Sequence, residues 1–364
     1  MHPDSAKVMV RLENDTYEVL NAPGLLQHVG PELHRMGSSR KVAVVTDSHV
    51  GPLYLPKLRA SLTEFEFDVV DAVIPAGEDH KTLEDLLPVY DRLLRHKLDR
   101  ATVLIGLGGG IVTDMAGFVA ATILRGVRLV QIPTSLLSMV DASVGGKTGV
   151  NHSAGKNLIG AFHQPVLVLI DPEVLRTLPP RELRSGLAEC IKHEVIRDAE
   201  GFASLEKQIH RATAVDVDYL GDLVAHNVAI KARVVEADPL EKGERAHLNF
   251  GHTFGHAIET VSNYSYAHGE CVALGMVAAS RMAAKLGMID DESVRRIINL
   301  IVAAGLPTGG MPLDVQQIVE AMAFDKKVKG GKVRFVLPDR IGHVVIRDDV
   351  PAERVREAVE SLRG

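Results

Sequence analysis

The densest chemistry in the 364-residue chain lies between residues 245 and 270, RAHLNFGHTFGHAIETVSNYSYAHGE. His252 and His256 are four apart and share one face if the segment is helical, and His268 follows a loop containing Asn263 and Tyr264. Imidazoles gathered this way suit a divalent transition metal such as zinc, completed by a carboxylate and one open position. The competing use is helix packing or capping, and the spacing leaves open which of the three are ligands. H-E-x-x-H is absent, which argues against a metalloprotease.

A second region points to a cofactor. GLGGGIVTD follows an apolar run and opens a helical pattern, a setting in which backbone N–H groups can hold phosphate. The G-x-G-x-x-G pattern fails at its last position, meeting Ile111 from Gly106 and Thr113 from Gly108. VGGKTG resembles a Walker loop but has Asp141 where the first glycine belongs, which disfavours ATP hydrolysis. Asp47 ends a strand-like run and AGEDHK follows another, so Asp47, Glu78 and Lys81 fall at strand C-termini, where open α/β sheets bind ligands. Either acid could instead be a turn or N-cap residue. Lys147, Lys156, Lys192, Lys231, Arg245, Lys326 and Lys327 lie in or beside the glycine-rich and histidine-bearing segments. Converged on one cleft, they would bind a substrate carrying phosphate or carboxylate; spacing does not establish that convergence.

The elements that must position these residues change along the chain. KVAVVTD (41–47), FDVVDAVIP (67–75), ATVLIGLGG (101–109), RLVQIPTS (128–135) and VLVLIDP (166–172) are near-continuous apolar runs. Helical segments such as 83–97 and 113–126 separate them, which predicts a parallel sheet covered on both faces, preceded by a hairpin from VMVRLEN and TYEVLNA. After about residue 180 helical periodicity dominates, with VRFVLP and HVVIRD as a small terminal hairpin. Pro179-Pro180 marks the expected boundary between a Rossmann-like domain (1–179) and a mainly helical domain (180–364), with a cleft between them.

Composition excludes several partners. Hydrophobic residues at 46% and charged residues at 24% argue against disorder. Aromatics at 4% without Trp disfavour a base-stacking platform, and a net charge of −6 removes the basic field that nucleic acid or anionic lipid requires. The uncharged runs between Arg100 and Asp114 and between Arg128 and Asp141 are too short to span a bilayer, which takes about 20 apolar residues. The acidic opening MHPDSAKVMVRLEND lacks the apolar core of a signal peptide, and Cys190 and Cys271 are expected as free thiols, so a cytoplasmic protein is expected.

PTSLLSMVDASVGGKTGVNHSAGKNLIGAFHQP, LPPRELRSGLAECIKHEVI and KGERAHLNFGHTFGHAIE followed by HGE occur in one order. On these motifs the chain, from about residue 41 to 346, resembles the 3-dehydroquinate synthases of the sugar-phosphate cyclase family. The resemblance implies an N-terminal Rossmann-like domain, a helical C-terminal domain and a site between them, an architecture shared with iron-type alcohol and glycerol dehydrogenases. It implies metal ligation by Glu189, His252 and His268, zinc or cobalt being the expected ion, and a substrate or proton-transfer role for His256. Phosphate and carboxylate contacts would fall on Lys147, Asn157, Lys192, Lys231, Arg245, Asn249 and Lys326, with Arg125 reaching in from the partner of a homodimer. NAD contacts would include Asp47, Glu78, Lys81, Gly109, Gly110, Asp114, Thr134, Ser135, Asp141, Lys147 and Lys156. Two positions depart from the family pattern: Thr113 replaces a glycine before Asp114, adding bulk near the pyrophosphate, and Ser135 replaces a threonine.

The implied activity is that of a phosphate-eliminating carbon–oxygen lyase of the shikimate pathway, in aromatic amino-acid biosynthesis. It converts a phosphorylated sugar acid, 3-deoxy-D-arabino-heptulosonate 7-phosphate, to 3-dehydroquinate and phosphate. The sequence is transient NAD-dependent oxidation, phosphate elimination, reduction, ring opening and intramolecular aldol closure. Valiolone- or inosose-forming cyclases and a metal-dependent NAD polyol dehydrogenase are the enzymatic alternatives; the last would release NADH and needs no phosphate pocket. A catalytically silent binding protein would tolerate losing a ligand or a lysine, and none is missing.

Overall fold

The computed structural model describes residues 6–363 apart from 14, 242, 311, 313 and 325–332. β1 (Ala6–Arg11) and β2 (Thr16–Asn21) form the antiparallel hairpin read from their sequences. The α/β alternation then runs α1 (Val29–Arg35), β3 (Lys41–Asp47), α2 (Val50–Glu64), β4 (Asp68–Ile74), α3 (Leu83–Arg95), β5 (Val103–Gly108), α4 (Gly110–Thr122) and β6 (Arg128–Pro133). β7 (Lys147–His152) and β8 (Gly155–Phe162) make a separate antiparallel ribbon, and β9 (Leu167–Ile170) returns to the main sheet.

The main sheet has the order β1-β2-β9-β6-β5-β3-β4, parallel throughout except for β1 against β2. Its strands read as continuous apolar runs because both faces are covered. Val42 and Val44 pack with Leu58 and Leu62 of α2 on one side, whereas Ala43 and Val45 pack with Leu86 of α3 and Met115 of α4 on the other. The strand order reverses between β3 and β5, so the chain leaves their carboxyl ends, at Asp47 and Gly108, in opposite directions. That divergence opens the crevice in which such sheets take ligands.

The β7–β8 ribbon is absent from the sequence-based expectation. Its segment is polar and glycine-rich, without the alternation that marks a strand. Gly149 and Gly160 permit the pairing by letting the two backbones touch: a Cβ on Gly160 would lie 2.1 Å from the Thr148 carbonyl oxygen.

The rest of the chain is α5 (Pro180–Arg197), α6 (Ala199–Thr213), α7 (Val217–Ala237), α8 (His252–Val261), α9 (His268–Lys285), α10 (Asp291–Ala303), α11 (Val315–Phe324), β10 (Phe335–Arg340), β11 (His343–Arg347) and α12 (Ala352–Glu360). β10 and β11 pair as the expected hairpin, and the Gly342 N–H at its turn donates to the Val195 carbonyl of α5 (2.8 Å). α9 is buried on nearly all sides, which suits its run of Ala, Gly, Val and Met and makes it the centre of the helical unit. Cys190 and Cys271 are buried and form no disulfide. No described helix is long and apolar enough to cross a membrane.

The chain divides into two compact units, and the division differs from the single boundary expected at 179/180. The first unit runs to Leu178 and also takes in Val217–Glu236; the second comprises Pro179–Asp216 and the chain from Ala237 onward. α7 joins the strand-bearing unit through specific bonds: Asn21 Nδ2 donates to the Gly221 carbonyl (2.7 Å), and the Arg11 N–H donates to Glu236 (2.6 Å).

Candidate active site

In the second unit, three helices bring together Glu189, His252 and His268. Glu189 sits mid-way along α5 and is fully buried, His252 opens α8, and His268 opens α9. α8 and α9 approach closely because their contact is lined with glycine. A Cβ on Gly275 would lie 1.9 Å from the Gly251 carbonyl oxygen. The start of α9 is fastened to α5 by the Gly269 N–H donating to Ser185 Oγ (2.9 Å) and by Arg181 forking onto Glu270 (2.9 and 2.6 Å).

Both imidazoles turn Nε2 inward. His252 Nε2 and His268 Nε2 stand 3.7 and 3.5 Å from Glu189 Oε1, a buried oxygen that accepts no hydrogen bond. The opposite ring nitrogens are held from behind: His252 Nδ1 lies 3.2 Å from the Phe250 carbonyl and His268 Nδ1 lies 2.9 Å from Glu259 Oε1. All three inward atoms lie within 4.8 Å of one another. Two imidazole nitrogens and one carboxylate oxygen that converge without a hydrogen bond between them fit a cation bound at about 2.0–2.2 Å from each. His256 stands outside this trio, its ring edge-on to His252 with centroids 5.3 Å apart.

Electrostatics favour the same use at Glu189 and His252, whereas His268 must give up a proton to ligate. Burial opposes a charge on Glu189, but Lys192, His268 and His252 together outweigh it and hold the carboxyl well below its usual range. Lys192, itself 1% exposed, donates to Glu189 Oε2. Burial and the adjacent Lys192 ammonium hold His252 well below its ordinary value, leaving a neutral ring suited to ligation. Burial also disfavours the imidazolium of His268, but the Glu189 and Glu259 carboxylates outweigh it and push the group up to about 10. Nearby, Arg245 is buried and donates to the Pro239 carbonyl (2.7 Å), and Asn249 Nδ2 donates to Glu241 Oε1 (3.1 Å). Lys326 and Lys327 lie outside the described residues.

In the first unit, Gly109 caps α4 without any side-chain bond, so the first-turn amides of the helix that begins at Gly110 carry no side-chain cap. Such an N-terminus suits a pyrophosphate. Thr113 is buried; its hydroxyl turns back to donate to the Gly110 carbonyl (3.0 Å), and its own carbonyl accepts from Gln131 Nε2 (2.8 Å). Ser135 Oγ accepts from the Ser138 N–H (3.2 Å), and the Thr134 N–H donates to the Gly108 carbonyl (2.9 Å). Asp47 caps α2, with Oδ1 accepting from the N–H groups of His49 and Val50 (2.8 Å each).

A polar lattice joins the turn after β4, helix α4 and the β7–β8 ribbon. Lys81 is buried and donates to Asp114 Oδ2 and Asn157 Oδ1, both at 2.6 Å, while Lys156 lies 3.6 Å from Glu78. Burial, helped by Asp141 and Glu78, raises the Asp114 carboxyl against the pull of Lys81. Lys231 of α7 pairs with the carboxylate of Asp141 and also donates to its carbonyl. Lys147 is exposed at the start of β7. Arg125 is exposed on a turn in which Leu124 and Arg125 both take left-handed backbone angles, φ 52° and 66°.

Three participants were not singled out in the sequence. Asn151 ties the lattice together: its Nδ2 donates to Glu78 (2.8 Å), its Oδ1 accepts from the Asn157 N–H (3.0 Å), and its N–H donates to the Lys81 carbonyl (2.7 Å). No signal in the ribbon sequence announces it. Glu241 orients Asn249 from an irregular loop and is equally silent. Glu259 did carry a signal, lying seven residues beyond His252 on the helical face that also holds His256.

Comparison with known proteins covers both units. The model of the 3-dehydroquinate synthase N-terminal domain matches residues 71–185, and that of the C-terminal domain matches residues 186–328. The 3-dehydroquinate synthase of Crocosphaera subtropica is 46% identical over 363 residues, 99% of this chain and 100% of its own. That of Desulforamulus reducens is 49% identical over 346 residues, 94% of this chain and 96% of its own. Among solved structures, the 2-epi-5-epi-valiolone synthase ValA of Streptomyces hygroscopicus subsp. jinggangensis, with NAD+ and Zn2+ bound, is similar at a TM-score of 0.89. It is 29% identical, over 97% of this chain and 98% of that one.

Proposed function

Because this chain belongs to the 3-dehydroquinate synthase family, we propose how its own residues divide the work of that enzyme. The reaction converts 3-deoxy-D-arabino-heptulosonate 7-phosphate to 3-dehydroquinate and phosphate, with NAD and a divalent metal as cofactors. The metal is held by Glu189, His252 and His268. The observation that carries this assignment is Glu189 Oε1, buried without a hydrogen bond and faced by two Nε2 atoms whose rings are anchored through Nδ1. NAD is held by the first unit: its pyrophosphate at Gly109 and Gly110, and the rest by Asp47, Glu78, Lys81, Asp114, Thr134, Ser135, Asp141, Lys147 and Lys156. When bound, NAD+ supplies a reversible hydride acceptor and the metal supplies Lewis acidity toward an alcohol oxygen.

The remaining side chains bind and orient. Lys147, Asn157, Lys192, Lys231, Arg245, Asn249 and Lys326 provide cations and amides for the substrate phosphate and carboxylate, which a net-negative protein must supply locally. His256, partly exposed beside His252, exchanges a proton with the reacting sugar. Arg125 acts in the site of the partner within a homodimer; its exposure on a constrained turn supports that reading, and light scattering of the pure protein tests the dimer.

The test of the reaction is to supply the heptulosonate phosphate, NAD+ and metal while following phosphate and absorbance together. Phosphate and 3-dehydroquinate accumulate with no net growth of NADH, because the hydride returns in each cycle. NADH released one-to-one with product would favour a dehydrogenase. A second expectation concerns Asn151→Ala, which removes bonds to Glu78 and Asn157 that contribute about 0.5–1.5 kcal/mol each. The Kd for NAD+ rises roughly 10-fold by calorimetry, and an unchanged Kd would show that the ribbon positions nothing for the cofactor.

A further inference from the structure

We propose that Glu259 is a positioning residue for the metal centre, selecting the ring tautomer in which His268 offers Nε2 as a ligand. This rests on the assignment of Glu189, His252 and His268 as ligands and concerns a side chain outside that set.

Imidazole has two nitrogens, and the neutral ring carries its proton on one of them. Glu259 Oε1 lies 2.9 Å from Nδ1 of His268, and a carboxylate only accepts, so once the ring is neutral, as a ligand must be, its remaining proton sits on Nδ1. In that tautomer the lone pair is on Nε2, the atom 3.5 Å from Glu189 Oε1. Glu259 is nearly fully buried, a costly place for a carboxylate whose only use is solubility. Its own helix brings it there: α8 starts with the ligand His252 and places Glu259 two turns further along the same face. One rigid helix therefore supplies a ligand and the orienting group of another ligand, so the two imidazoles are set relative to each other by helix geometry. His252 has the weaker counterpart, a backbone carbonyl at Nδ1 (3.2 Å).

Removal of such an outer partner typically costs 10–100-fold in metal affinity. The experiment measures zinc affinity of the full chain by competition with a chromophoric chelator, without NAD+ or substrate. Glu259→Ala is expected to bind zinc 10–100-fold more weakly than wild type. Glu259→Gln, which keeps the shape and an accepting oxygen but not the charge, is expected to fall between the two. NAD+ affinity, read in parallel, remains at the wild-type value and shows that the protein is folded. The cobalt-loaded variants are expected to show an altered d–d spectrum, which a purely structural role would leave unchanged. If Glu259→Ala does not fold, Glu259→Gln alone decides. Wild-type zinc affinity and an unchanged cobalt spectrum in a folded variant overturn the proposal. His252→Ala separates this from the underlying assignment: full zinc occupancy there removes the metal site itself, whereas lost zinc there with normal affinity in the Glu259 variants overturns only the positioning role.

Discussion

His252→Ala is expected to be isolated without zinc or cobalt and to lose activity by roughly 10³-fold or more, while binding NAD+ as the wild type does. The magnitude follows from chemistry: a Lewis acid at a reacting oxygen contributes several kcal/mol, and each 1.4 kcal/mol is tenfold in rate. His252 is the most exacting place to test it because burial and Lys192 already keep its ring neutral, so the group has little other reason to stand beside Glu189. His256→Ala is the matched comparison. Its ring packs edge-on against His252, yet it lies outside the converging trio, so it should keep full metal occupancy while losing roughly 10²–10⁴ in rate as a proton-transfer group. Elemental analysis of the two proteins reads the contrast directly. Metal retained in His252→Ala, or lost in His256→Ala, would place the ion elsewhere.

Lys192→Met should produce the second large effect, and in two distinguishable parts. Lys192 and Glu189 are 1% and 0% exposed, and removing one member of such a pair leaves a buried charge without its partner, which costs about 3–5 kcal/mol. The metal-free variant should therefore melt well below the metal-free wild type. A divalent ion on Glu189 would replace the missing positive charge, so added zinc should raise the Tm of Lys192→Met by more than it raises that of the wild type. Equal zinc-induced gains would mean that Glu189 does not meet the ion. The catalytic part persists after zinc is restored: a charge-assisted bond to phosphate or carboxylate is worth about 1.5–3 kcal/mol, so kcat/KM for the phosphorylated substrate stays roughly 10- to 150-fold low while NAD+ affinity is unchanged.

The sequence by itself determined the α/β half almost element by element. KVAVVTD is β3 without a residue's difference, because a strand buried on both faces must be apolar throughout and ends where Asp47 caps the next helix. The order of motifs also determined the family, and with it the expected ligand set. Tertiary structure decided what depends on contacts between distant segments. Helical periodicity reports that α7 has an apolar face but not what covers it, and only its bonds to Asn21, Arg11 and Asp141 place it with the first unit. The β7–β8 ribbon was illegible because its pairing rests on missing side chains at Gly149 and Gly160, whereas pattern reading depends on side chains that are present. Three histidines within 17 residues signalled a metal, but the choice among them was not in their spacing. The convergence that singles out His252 and His268 comes from a glutamate of α5, from a carbonyl and a carboxylate behind the two rings, and from two helices close enough to share a glycine contact. A sequence records which groups can ligate; which lone pairs point at one another is a property of packing.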